Sequence, residues 1–147
     1  MGDLDSALQA ASRRGTVAMV QMLLDAGAEV NAQGGFHGNA LHAAASEPGR
    51  TEVVQILLDA GANVNAQGGE FGNALQAASF EGSQSVVKLL LDAGADVNAQ
   101  GGEFGNALQA ASFEGSQSVV KLLLDAGANV NAGGTLGSAL QVASVAN

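Results

Sequence analysis

Asn73-Ala-Leu-Gln-Ala-Ala-Ser-Phe-Glu-Gly-Ser-Gln-Ser-Val-Val-Lys-Leu-Leu-Leu-Asp-Ala-Gly-Ala95 holds two short helices and the signals that start and stop them. Asn73 can accept from a free backbone donor at the start of the first helix, and Gln76 three residues later can reach back, as in a capping box. Gly82 closes that helix, and Ser83 is suited to cap the second. Val86, Val87, Leu90 and Leu91 then fall on one helical face. Gly94 ends the second helix in the left-handed conformation that glycine tolerates best. The next stretch, Val97-Asn-Ala-Gln-Gly-Gly-Glu-Phe-Gly105, carries the glycine clusters of a turn or hairpin.

This unit recurs. Val64 to Ala95 is reproduced without change at Val97 to Ala128, 33 residues on. The same frame begins at Ser6-Ala-Leu-Gln9 and Asn39-Ala-Leu-His42, and again at Ser138-Ala-Leu-Gln141. Asn39 to Asn73 is one residue longer because Glu47-Pro48-Gly49 lies between helices. Asn106 to Ser138 is one shorter because the loop after Asn131 loses a residue. Four copies are near complete, and a fifth ends after its first helix. The expected organisation is one domain over 1–147, with repeats at about 1–34, 35–69, 70–102 and 103–134 and a half-repeat at 135–147. Isolated helices under about 12–15 residues are marginal in water, so neighbours must supply the core by stacking. The fold class that follows is all-α, a solenoid of helix pairs joined by hairpin-like turns.

Composition agrees with a linear stack. The 147 residues include five Phe and no Trp, Tyr or Cys, which excludes a core built around large rings. Ala77, Ala78, Ala93 and Ala95 let successive backbones approach closely. Without cysteine there is no disulfide and no thiolate metal site. Asp and Glu number 14 against 5 Lys and Arg, a net charge of −9. The basic residues Arg13, Arg14, Arg50, Lys88 and Lys121 are scattered, so nucleic acid and anionic membranes are not expected partners. The start lacks the pattern of a secretory signal, and apolar runs are far shorter than a spanning helix needs. A soluble, cytoplasmic chain is expected.

The unit's wording resembles ankyrin repeats: Gly-Ala-Asp-Val-Asn98, Leu-Leu-Leu-Asp-Ala-Gly94 and the two-helix frame of 33 residues. The resemblance covers essentially the whole chain. It departs from the family where the usual Thr-Pro-Leu-His start reads Asn-Ala-Leu-Gln. That variant is similar to fungal arrays attached to NACHT-type sensor proteins, though no NACHT sequence is present. The resemblance implies a protein–protein interaction scaffold with no catalytic role, whose hairpin tips and first helices form a concave recognition surface. Carried onto this chain, the partner-binding candidates are Phe36, His37, Glu70, Phe71, Glu103, Phe104 and Leu136, followed by Phe80, Glu81, Phe113 and Glu114. The phenylalanines read as two rows, Phe36/Phe71/Phe104 in the turns, extended by Leu136, and Phe80/Phe113 at the helix ends. The glutamates favour a basic partner.

Other chemistries fit poorly. Asp59 to Glu70 has the length of a calcium loop with Asp at position 1, Asn at 5 and Glu at 12. However, position 3 is Gly61 and position 6 is Val64, where a sharp turn needs glycine. Gly68-Gly69-Glu70-Phe71-Gly72 mimics a phosphate loop, but no Lys-Ser/Thr pair follows it and Glu70 repels phosphate. Met1-Gly2 and Ser6 fit a loose myristoylation pattern, but Ser6 is already assigned as a helix cap. His37 and His42 are the only histidines, and their expected roles are in the turn and the cap rather than in a metal site. No nucleophile–base–orienter set can be assembled, and no cofactor is expected.

A second functional class stays open: a structural or consensus-designed scaffold with no natural ligand. The two identical copies agree even at Glu70, Gln84, Ser85 and Lys88, where recognition of one asymmetric partner needs difference. The ragged segments Arg13-Arg14, Glu47-Pro48 and Thr135-Leu136 favour a natural array. The chain starts on a first helix and stops at Asn147 before a second, with Val142 and Val145 on its last helix. A fragment of a longer array, or self-association through the C-terminal half-repeat, is therefore expected.

Overall fold

Each first helix begins where a polar cap meets an alanine-rich run. Asn39, Asn73 and Asn106 have extended backbones, and their Oδ1 atoms accept the N–H of His42, Gln76 and Gln109, each at 2.8 Å. The computed structural model describes residues 3–131. They form α1 (Asp3–Arg14), α2 (Val17–Asp25), α3 (Ala40–Ala45), α4 (Thr51–Asp59), α5 (Ala74–Glu81), α6 (Gln84–Asp92), α7 (Ala107–Glu114) and α8 (Gln117–Asp125). The odd-numbered helices stack on one another as one layer, and the even-numbered helices stack as a second. Each even helix also packs on the odd helix before it. The fold is the expected all-α solenoid.

Position by position, the repeats contribute the same residues to the core. Leu8, Leu41, Leu75 and Leu108 form a buried row through the first layer, while Leu57, Leu90 and Leu123 form one through the second. Full burial of one such leucine is worth about 1.5–3 kcal/mol. Ala11, Ala44, Ala78 and Ala111 are buried between neighbouring first helices. Their small side chains permit that approach. The stripe on α6 behaves as its spacing predicts: Val86, Val87 and Leu90 are buried, with Leu91 packed at the edge.

Several local expectations change. Ser6 lies inside α1, which already runs from Asp3, so it caps nothing. The acidic first turn of Asp3 and Asp5 complements the helix dipole there. Ser83 and Ser116 hold the cap positions of α6 and α8 with extended backbones, but their side chains make no capping bond. The inserted residue sits where the spacing places it. Residues 46–50 separate α3 from α4, whereas Gly82 and Ser83 alone separate α5 from α6. Arg50 braces the longer link, donating from Nε to the Arg13 carbonyl (2.7 Å) and from Nη1 to that of Pro48 (2.8 Å). Met1, Gly2, Leu136, the Ser138/Gln141 cap, Val142, Val145 and the half-repeat at 135–147 lie outside the described residues.

Candidate functional site

The turns come first, because they fix where every candidate side chain stands. Each closes on itself: Gly34 N–H donates to Gly38 O (2.7 Å), Gly68 to Gly72 (2.9 Å) and Gly101 to Gly105 (2.9 Å). Successive turns then meet backbone to backbone. A Cβ built on Gly69 falls under 3.0 Å from the His37 carbonyl, and one on Gly102 falls equally close to the Phe71 carbonyl. Both glycines also have φ near +70°, which side chains rarely adopt. Glu103 N–H donates to Glu70 O across this contact (2.9 Å).

Two recurring sets of side-chain hydrogen bonds hold the stack, and the first joins neighbouring repeats. In the first, Asn31 donates from Nδ2 to Gly61 O and accepts from Asn63 N–H (3.1 and 2.7 Å). Asn65 does the same with Gly94 O and Asp96 N–H (3.1 and 2.8 Å), and Asn98 with Gly127 O and Asn129 N–H (3.2 and 2.8 Å). Within the calcium-like stretch Asn65 is such a rung, Asn63 Oδ1 accepts the Asn65 N–H (3.0 Å) and Asp59 accepts from Gln55 (2.9 Å). Among the described residues, no group of three His, Cys, Asp or Glu side chains could hold a metal ion.

The second set uses Gln9, His42 and Gln76, three residues after Ser6, Asn39 and Asn73. Gln9 donates to Ala32 O (3.2 Å), and Gln76 donates to Ala99 O and Gly105 O (3.2 Å each). Gln76 thus reaches across to its own repeat's end and to the next turn, rather than back to the Asn73 N–H as a reciprocal capping box requires. The carbonyls of the neighbouring turn are buried there and need a donor. His42 takes the same place, with Nδ1 3.1 Å from His37 O and Nε2 2.9 Å from Ala66 O. Burial pushes its imidazole below the ordinary value of about 6.5. The two carbonyl bonds oppose that shift, and His37 adds slightly to it.

On this frame the phenylalanines form one cluster rather than two rows. Ring centroids lie 5.0 Å apart for Phe71–Phe80, 5.1 Å for Phe80–Phe104 and 5.1 Å for Phe104–Phe113. The turn rings Phe71 and Phe104 also face each other at 6.4 Å with nearly parallel planes, and the helix-end rings Phe80 and Phe113 pack against them. Glu70 and Glu103 border them, and the six residues line an open groove of about 490 Å³. Phe104 is buried at 6% exposure and acts as the floor, while Phe113 is 41% exposed. Phe71 and Phe80 are half-buried.

Phe36 does not belong to this cluster. It stands three residues before its cap, Asn39, whereas Phe71 and Phe104 stand two before Asn73 and Asn106. The residue in register with them is His37, and Phe36 is in register with Glu70 and Glu103. All three phenylalanine rings sit in turns, where a shift of one residue aims the side chain elsewhere. Phe36 accordingly projects outward at 67% exposure, with its ring edge-on to His37 at 5.2 Å. Arg13 and Ser46 occupy the helix-end position in the first two repeats, so among the described residues the groove is confined to the third and fourth.

Carboxylates crowd beside the helix ends. Burial first, then the charges of Glu47 and Glu114, hold the Glu81 carboxyl above the usual carboxylate range. Glu47 itself is engaged by Arg13 at 3.0 Å. Lys88 and Lys121 lie on α6 and α8, in the other helix layer. The groove therefore joins flat apolar faces to negative charge, an arrangement suited to binding rather than to bond-making. The candidates that the fold brings together are Glu70, Phe71, Phe80, Glu103, Phe104 and Phe113, with Glu81 and Glu114 next to them in sequence.

A family model described as "Ankyrin repeats (3 copies)" matches residues 2–68 and again 67–134. No curated protein matches the chain.

Proposed function

The chain belongs to the ankyrin repeat family, and from that premise we propose that it binds a protein partner through the Phe71/Phe80/Phe104/Phe113 groove. Ankyrin repeats generally mediate protein–protein interaction, and the family is typically non-enzymatic. The observation that carries the reading is the groove itself. Four rings cluster at the turns and first-helix ends, and three of them, Phe71, Phe80 and Phe113, stay partly open to solvent, in a chain with only five Phe. Aromatic anchors in a pocket with a polar rim are the usual centre of a protein interface. The net charge of −9 and the bordering glutamates favour a basic partner and speed its approach. Phe36 and His37 form a separate, smaller contact point in the second repeat. The same reading takes the chain as a cytoplasmic array, and its Asn-Ala-Leu-Gln starts suit the interaction arm of a sensor protein.

The test is capture of a partner on the immobilised chain, followed by titration calorimetry with the purified partner. Phe80→Ala with Phe113→Ala should weaken binding at least tenfold while leaving the circular dichroism spectrum intact. An unchanged affinity rejects the groove as the binding site. Phe104 is a poor choice for that experiment because its burial confounds binding with folding.

A structural scaffold without a ligand remains the second reading. It rests on one observation: Glu70, Gln84, Ser85 and Lys88 are matched without change by Glu103, Gln117, Ser118 and Lys121. Near-identical codons across the two copies would mark recent duplication. Divergent codons for the same residues would point to selection or design of the repeat itself.

A further inference from the structure

The groove's chemistry narrows the partner further, and this inference rests on the interaction reading above. Its walls are phenyl faces, its border is acidic, and its neighbours Glu81 and Glu114 press their charges on one another. A purely apolar segment would leave those carboxylates beside a desolvated patch with nothing to balance them. A cation laid against the rings satisfies both features, because the face of an aromatic ring attracts positive charge. Among natural cations the guanidinium fits best: it is planar, weakly hydrated and able to stack on a ring while donating to a carboxylate.

The repeat sets the spacing. Phe80 and Phe113 are equivalent positions on neighbouring first helices, and Phe104 stands 5.1 Å from each. Adjacent helices pack about 8–10 Å apart. A polyproline II segment has three residues per turn and rises about 3.1 Å per residue, so side chains three positions apart share one face about 9 Å apart and match successive repeats. The identical wording of the third and fourth repeats then becomes functional, since two equal subsites suit two equal side chains.

We propose that the groove receives a partner segment in the polyproline II conformation bearing two arginines three residues apart. One guanidinium lies on the Phe80 face beside Glu81 and the other on the Phe113 face beside Glu114. The aliphatic residues between them rest over Phe104.

The experiment uses the full chain and a fluorescein-labelled ten-residue peptide, with two arginines at i and i+3, leucine beside each, and serine and glycine elsewhere. Comparison peptides replace both arginines by lysine or by citrulline, the uncharged isostere, or move them to i and i+1. Fluorescence anisotropy should give the tightest binding for the i, i+3 arginine peptide, a loss of a few-fold with lysine and at least tenfold with citrulline. Glu81→Gln with Glu114→Gln, which keeps shape and fold, should weaken the arginine peptide about fivefold or more and flatten its salt dependence. Phe80→Leu with Phe113→Leu should weaken it by about tenfold, with unchanged thermal unfolding showing that the fold is kept. Citrulline and arginine peptides binding within twofold of each other would overturn the proposal. If both then weaken together in the Phe80→Leu/Phe113→Leu protein, the groove still binds protein and only its cation preference is lost. An arginine peptide that ignores both double variants, or fails to bind at millimolar concentration, overturns the proposal as well. The calorimetry with a captured partner judges the broader reading independently.

Discussion

The second repeat and the third share a backbone but not a surface. Both open on a capped Asn, both close a glycine turn, both are tied to the next repeat by an asparagine rung, and in both the side chain three after the cap pins the repeat's own end. The third repeat places Phe71 and Phe80 so that their rings stack into a groove. The second puts His37 and Ser46 at those positions, and its one phenylalanine points away. Architecture and recognition are thus written in different residues of the same unit. Changing the first set should damage stability wherever it occurs, while changing the second should matter only where the groove is.

The largest expected break lies in the turn contact. Gly102→Ala adds a Cβ against the Phe71 carbonyl at positive φ. Left-handed strain of about 1–2 kcal/mol and overpacking of about 1–3 kcal/mol should combine to roughly 3 kcal/mol in urea unfolding. Gly94→Ala, equally left-handed but open to solvent, should cost only the strain, about 1–2 kcal/mol. Equal losses at the two sites would mean that the turns do not touch. Phe104→Ala comes close behind, at about 3 kcal/mol, because the ring is the buried floor of the groove.

Next come the rungs. Asn98→Ala removes two hydrogen bonds at the junction of the last two described repeats. At about 0.5–1.5 kcal/mol each, the loss should be roughly 2 kcal/mol, and Asn65→Ala should match it. Hydrogen exchange should show faster opening at Asp96 when Asn65 is removed and at Asn129 when Asn98 is removed.

The pin separates the repeats by pH. His42 is held neutral by burial, so its folded pKa lies below its unfolded one. Above about pH 6.5 both states are neutral and no penalty exists. As pH falls through that value the unfolded chain takes up the proton first, and stability declines until the folded imidazole is protonated too. His42→Gln, which copies Gln76, should remove this decline below about pH 6.5. A slope that survives the substitution would place the sensitivity elsewhere. Smallest of all, Phe36→Ala should shift stability by less than about 0.5 kcal/mol, as befits an exposed ring outside the cluster.

Much of this architecture is legible in the chain itself. A 33-residue period, a cap at each first helix, a glycine after each second helix and leucines on one stripe leave little besides stacked helix pairs. The groove's residues are legible as well, since the only aromatics cluster by repeat. The ladders are less so. Gln76 looks like half of a capping box, because nothing local shows that the next turn offers its carbonyls to that side chain. Asn65 and Asn98 recur in the frame, yet their partners lie about thirty residues away and become neighbours only on stacking.

What the sequence determined by itself is therefore the unit: which residues turn helical, where each helix stops and which face is apolar. Those are decided by contacts within one turn of helix, through caps, glycine conformations and spacing. What only the tertiary structure decided is how units meet. It fused two apparent rows of rings into one cluster, excluded Phe36 by a single residue of register and made asparagines into rungs. The rungs and the Phe80–Phe104 contact that links the two halves of the cluster join residues of different repeats, and such distances are set by stacking, which no single repeat contains.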